Sequence, residues 1–181
     1  MKSKLIANSL IIVLVVVVLI GAYWFVNRGD AESSTIHIDG AAQMPSVGAA
    51  APQFSAEDIL GTSISTAELQ GRPVWLVVMA TWCQGCRSEV PDIEDSYRQA
   101  NGNIEVVAIY SGESDQQVKE YVDRMDLSYR HIADPDKAIS AAYGIGAVPT
   151  HFFIDSSGTV RYTRVGVMSP ELISQALSSI S

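Results

Sequence analysis

The sequence predicts an α/β domain, a central mixed β-sheet flanked by helices, preceded by one transmembrane helix. Residues 5–26 run without a charge, and from residue 51 onward strand-like and helix-like segments alternate. Within that region Val74-Trp75-Leu76-Val77-Val78-Met79 is a continuous apolar run, as expected of a strand covered on both faces. The length, 181 residues, leaves room for one ordinary domain and an appendage.

In chain order, residues 1–4 carry Lys2 and Lys4, which place the N-terminus in the cytoplasm by the positive-inside rule. Residues 5–26, at ~1.5 Å per residue, are long enough to cross a bilayer core of ~30 Å. A cleaved secretory signal has a shorter apolar stretch, of roughly 7–15 residues, and a small-residue cleavage site. This run instead leaves through Tyr23-Trp24-Phe25, which suits a membrane interface, so an uncleaved anchor is expected. With either reading the remainder lies outside the cytoplasm. Residues 27–50 are small, polar and turn-forming, without apolar periodicity, and are expected to be a flexible tether. The domain is expected to span 51–181, opening at Ala51-Pro52-Gln53-Phe54.

Short extended pieces around Phe54 and Ile64 flank a turn at Gly61, and Thr66 to Leu69 suits one helical turn ended by Gly71. Val74 to Met79 is the expected central strand. Cys83, Cys86, Val90, Ile93, Tyr97 and Ala100 fall at spacings of three and four, which predicts a helix. Ile104 to Tyr110 is the next strand, and Val118, Tyr121, Val122 and Met125 share a helical face. A third helix is expected from about Pro135 to Tyr143, capped by Asp134 or Asp136 and stopped by Gly144. His151 to Ile154 and Thr159 to Val165 are strands joined by a hairpin signal at Asp155-Ser156-Ser157-Gly158. Ser169-Pro170-Glu171 opens a last helix with Leu172, Ile173, Ala176, Leu177 and Ile180 inward.

Charge narrows the partners. Acidic and basic residues balance over the first fifty positions, so the whole net charge of -8 belongs to residues 51–181. A surface this acidic repels phosphate backbones, which argues against nucleic acid and is explained by solubility.

The two cysteines, Cys83 and Cys86, are separated by two residues. A disulfide stabilises by closing a long loop, and one across so short a gap closes almost none. The pair therefore points to chemistry. At a helix N-terminus, partial positive charge and unpaired N–H groups favour the thiolate of Cys83, which attacks a substrate disulfide. Cys86, one turn further on, then resolves the mixed disulfide. A structural zinc site needs four ligands, and two cysteines with His37, His131 and His151 do not supply a convincing set, so no metal is expected.

Glu89 lies about one turn beyond Cys86, near the edge of the apolar arc. Spacing alone leaves two readings: a partly desolvated carboxyl exchanging protons with the thiols, or a surface glutamate paired with Arg87.

Ala80-Thr81-Trp82-Cys83-Gln84-Gly85-Cys86, then Glu89 and Pro91, then Gly146-Ala147-Val148-Pro149-Thr150 before Phe152-Phe153-Ile154-Asp155 and Gly158, resemble the TlpA/ResA/CcmG group of membrane-anchored, thioredoxin-like proteins. The resemblance spans about residues 51–181. It implies a thioredoxin fold with an inserted segment between a strand and a helix after the active-site unit. It also implies a thiol–disulfide oxidoreductase that reduces protein disulfides outside the cytoplasm and needs no cofactor beyond its own redox disulfide. Frequent roles in that group are keeping the haem-binding cysteines of apocytochrome c, or copper-site cysteines, reduced. Electrons would come from a membrane donor of CcdA/DsbD type.

For individual residues, the resemblance implies that Glu89 is buried beside the cysteines. It implies a cis bond at Val148–Pro149 facing them, with the Val148 backbone pairing with substrate as an added strand. Trp82 would cap the cysteines with apolar surface, or else be a core residue. Thioredoxin itself has a buried aspartate in the central strand where this chain has Val77, which assigns proton handling to Glu89. His151 stands where relatives often have threonine; alternation along a strand leaves its face open, and no role is assigned to it.

Competing readings share parts of this pattern. A DsbA- or DsbC-like oxidase or isomerase would have the fold and the cysteine pair, but usually a histidine between the cysteines or a dimerisation domain. A peroxiredoxin-like peroxidase shares the Ala51-Pro52-x-Phe54 entry but uses Thr-x-x-Cys, whereas this chain has Thr81-Trp82-Cys83. Copper delivery of Sco-like type uses a three-residue gap between cysteines. A non-catalytic binding module would not need the thiols at all.

Overall fold

The computed structural model describes residues 15–20, 37–39 and 43–181. The chain divides into two units, Met1–Ser33 and Ser34–Ser181. In the first, residues 15–20 form a helical stretch, α1. Among the described residues no helix is long and apolar enough to cross a membrane, and most of the span expected over 5–26 lies outside them.

The second unit carries two sheets. Strands β1 (His37–Asp39), β2 (Gln53–Glu57) and β3 (Ser63–Ser65) form an antiparallel sheet in that order. Strands β4 (Val74–Met79), β5 (Glu105–Ser111), β6 (Arg130–Asp134), β7 (Thr150–Ile154) and β8 (Val160–Val165) form a five-stranded sheet ordered β6-β5-β4-β7-β8. β4, β5 and β6 are parallel, while β7 and β8 run antiparallel to their neighbours, so the sheet is mixed as expected. β4 is the middle strand, and each of its residues is buried.

Helices α2 (Gln84–Ala100), α3 (Asp115–Met125), α4 (Ala138–Ala142) and α5 (Pro170–Ser178) complete the unit. Side chains alternate across each strand, which divides the core in two. Trp75, Val77 and Met79 of β4 pack with Cys86, Val90 and Ile93 of α2 and with Ile173 and Ala176 of α5. Leu76 and Val78 pack on the opposite face with Phe54, Ile64 and Ile139. α2 is thereby held against the C-terminal end of the central strand, which puts the cysteines at the sheet's edge.

Three features depart from the sequence reading. The strand β6 was not expected; with α3 it stands between β5 and α4, the place of the implied insertion. α4 begins at Ala138 rather than about Pro135. Lys137, at its N-cap, has a left-handed backbone and gives no side-chain cap. Capping comes instead from Asp134 at the end of β6, whose carboxylate accepts the N–H groups of Ile139 (3.2 Å) and Ser140 (2.8 Å) and the Ser140 hydroxyl (2.6 Å).

The third departure corrects the tether expected over 27–50. β1 pairs with β2, Gly48 N–H donates to Val160 O (2.8 Å), and Val160 N–H donates to Ala49 O (2.9 Å). The described parts, residues 37–39 and 48–49, are docked by backbone hydrogen bonds, which need no apolar pattern. The segment's close approach also explains Gly144, which has φ 61 and on which a Cβ would collide with the backbone of Gln43 and Met44.

Candidate active site

Cys83 ends the turn that follows β4 and is the N-cap of α2, with an extended backbone. Its Sγ accepts the backbone N–H of Cys86 at 3.1 Å, so the sulfur occupies the position where a capping oxygen usually sits. Any negative charge on that sulfur is therefore stabilised by an otherwise unpaired donor and by the helix dipole. Cys83 and Cys86 are joined as a disulfide with Cα atoms 5.2 Å apart. Cys83 is 8% exposed and Cys86 1%, so the first cysteine is the less covered of two buried residues.

The Val148–Pro149 bond is cis and the segment lies against the disulfide. The Val148 carbonyl oxygen is 3.7 Å from Cys83 Sγ. Pro149 O accepts Gly166 N–H at 2.8 Å, which ties this segment to the end of β8. A Cβ at Gly85 would meet Val167 Cγ2 at 3.0 Å, so the loop after β8 packs directly over the residue between the cysteines.

Trp82 is 68% exposed, which overturns its reading as a core residue. It lines a groove of about 460 Å³ with Cys83, Lys137, Ile145, Ala147 and Val148. The exposed Val165 and Val167 add apolar surface on the loop side of the disulfide. The turn itself is held from outside: the Glu113 carboxylate accepts the Thr81 N–H (2.8 Å) and hydroxyl (2.5 Å).

Glu89 is 1% exposed and makes no ion pair with Arg87, so the surface reading of this residue is overturned. Its Oε1 accepts Met168 N–H at 3.2 Å and its Oε2 lies 3.4 Å from His151 Nε2. It is buried one turn from Cys86 on the same face of α2. His151 is wholly buried, and its Nδ1 accepts the Trp75 indole N–H at 3.3 Å.

The structure thus gathers Cys83, Cys86, Val148, Pro149 and Trp82 at one end of the sheet, with Glu89 beneath. His151, Trp75, Glu113 and Val167 were not singled out as site residues in the sequence. No group of His, Cys, Asp and Glu suited to a metal ion occurs among the described residues.

A dithiol–disulfide couple at the N-terminus of a helix, beside a cis-proline segment on a mixed five-stranded sheet, defines a thioredoxin-like thiol–disulfide oxidoreductase. Residues 47–163 match the model of the AhpC/TSA family, and the chain belongs to that family. It is 34% identical over 136 residues to thiol-disulfide oxidoreductase ResA of Geobacillus thermodenitrificans, covering 74% of this chain and 78% of that one. Against ResA of Bacillus thuringiensis it is 31% identical, covering 75% and 79%. Among solved structures, a thiol:disulfide interchange protein of the thioredoxin family from Chlorobium tepidum superposes with a TM-score of 0.67 at 28% identity. That match covers 76% of this chain and 99% of the other.

Proposed function

We propose that the chain is an extracytoplasmic protein-disulfide reductase, anchored by residues 5–26, which keeps cysteines of cytochrome c or copper-site maturation substrates reduced. The single observation that carries the exchange chemistry is the environment of Cys83: an N-capping sulfur, placed to be stabilised as thiolate, beside the Val148 carbonyl and an exposed apolar rim. Similarity to proteins named thiol-disulfide oxidoreductase ResA supports thiol–disulfide exchange as the reaction.

In the reduced enzyme the Cys83 thiolate attacks one sulfur of the substrate disulfide, forming a mixed disulfide and releasing one substrate thiolate. The Cys86 thiol gives its proton to the Glu89 carboxylate, and the resulting thiolate attacks Cys83 Sγ. The Cys83–Cys86 disulfide forms, and the second substrate thiolate leaves and is protonated. The substrate backbone pairs at Val148, and Trp82 covers its apolar side chains. A membrane dithiol donor of CcdA/DsbD type returns two electrons to the pair, and no bound cofactor is required.

Two experiments test this. The reduction potential separates directions: a value below about -250 mV indicates a reductant, and one near about -120 mV an oxidant of DsbA type. Capture with Cys86→Ser in the native membrane should yield mixed disulfides with exported thiol proteins; capturing nothing there would remove the reductase reading.

A further inference from the structure

Glu89 and His151 face each other with fully buried side chains, Oε2 and Nε2 3.4 Å apart, and neither atom has another hydrogen-bond partner among the described residues. A buried polar atom left unpaired is destabilising, so each is the other's partner even at a separation slightly longer than a formed hydrogen bond. Which of them carries the proton is decided by a third residue. The indole N–H of Trp75 can only donate, and it points at His151 Nδ1 from 3.3 Å. Nδ1 is therefore the lone-pair nitrogen, and the ring proton sits on Nε2, aimed at Glu89. On its other oxygen Glu89 meets the Met168 N–H. Both carboxylate oxygens therefore face donors, which fixes the orientation of the carboxylate.

The register sharpens the point. His151 is the cross-strand partner of Val77, the position where thioredoxin has its buried aspartate. Other titratable or charged groups around the pair are Cys83 and Cys86 on α2, Tyr129 before β6, and two members of the same cross-sheet row. Those two are His131 on β6, beyond Val77 and Ala108, and the exposed Arg164 on β8. None of them hydrogen-bonds to Glu89 Oε2.

We propose that His151 is a positioning residue for thiol chemistry: held by Trp75 as the Nε2–H tautomer, it orients the Glu89 carboxylate and fixes it one turn from Cys86. The proton balance is then simple. Glu89 receives the Cys86 proton, Cys86 resolves the mixed disulfide, and the proton passes to the departing substrate thiolate, while His151 neither gives nor takes one. This rests on the reading of Glu89 as the proton partner of the cysteines.

The test is the pH dependence of insulin disulfide reduction by the full chain with dithiothreitol. His151→Leu should move the acid limb of the rate profile up by about one pH unit, a roughly tenfold loss at a fixed pH on that limb. His151→Gln, which keeps an N–H donor, should stay near wild type, and Glu89→Gln should abolish the limb. An unchanged profile in His151→Leu with an altered one in Glu89→Gln overturns the proposal and leaves the Glu89 reading standing; an unchanged profile in Glu89→Gln overturns both. Nitrogen-15 shifts of His151 in the wild-type chain provide a readout that needs no variant. Protonated Nε2 with bare Nδ1 is expected, and an imidazolium or the opposite tautomer at neutral pH overturns the proposal.

Discussion

The carboxylate of Glu113, at the start of the loop into α3, accepts both the backbone N–H and the hydroxyl of Thr81, two residues before Cys83. The attacking cysteine is therefore positioned by a residue thirty places further along the chain. Glu113 is 4% exposed, so removing its carboxylate strands a donor that water reaches poorly. Glu113→Ala should lower unfolding free energy by about 1–3 kcal/mol and slow insulin reduction. Urea denaturation and single-turnover rates check both parts; unaltered rates would show that the turn holds without it.

Trp82 has little to do with folding, because 68% of its surface is already in water. Trp82→Ala should leave stability within about 0.5 kcal/mol of wild type. It should raise KM for a protein disulfide while leaving the rate with a small aromatic disulfide nearly unchanged. Equal losses with both substrates would mean that Trp82 acts on the cysteines and not on substrate.

Asp134 is wholly buried and accepts three donors from the first turn of α4. Asp134→Ala leaves all three without an acceptor and should destabilise by at least about 3 kcal/mol. Because Ser140 and Ala141 also line the groove beside Cys83, the same variant should loosen that wall. Hydrogen exchange at Ile139 and Ser140 reads the local effect directly.

His131 gives the fold an acid sensitivity. It is buried against Tyr110 and Tyr129, and desolvation lowers its pKa from 6.5 to about 4. Between those values the unfolded chain binds a proton that the folded chain refuses, so stability rises with pH across the window. Its contribution is complete above about pH 6.5 and is lost as pH falls toward 4, amounting to roughly 3 kcal/mol. Urea melts at intervals of pH should show this slope, and His131→Phe should flatten it.

Much of this was legible in the sequence where side-chain chemistry and periodicity agree. The apolar run of β4 and the three–four spacing of α2 each have one physical reading, and they place the cysteines at a strand end and a helix start. β6 escaped because Arg130-His131-Ile132-Ala133-Asp134 is polar in composition yet almost wholly buried, with His131 partnered by Tyr110 and Asp134 by the first turn of α4. His151 escaped for a different reason. Alternation identifies an inward face only when the other face meets water, and every residue of β7 is buried. Its partners lie 62 and 76 positions away, beyond any local pattern.

The unequal exposure of Cys83 and Cys86 favours one order of events. A bulky protein disulfide arriving from solvent can touch only Cys83, while the nearly sealed Cys86 is within reach of a partner already bonded to its neighbour. In the proposed mechanism the pair works as a ratchet: the substrate docks on Cys83, and the more covered Cys86 acts only after docking. Selectivity between two chemically identical groups comes from a difference of a few per cent in access.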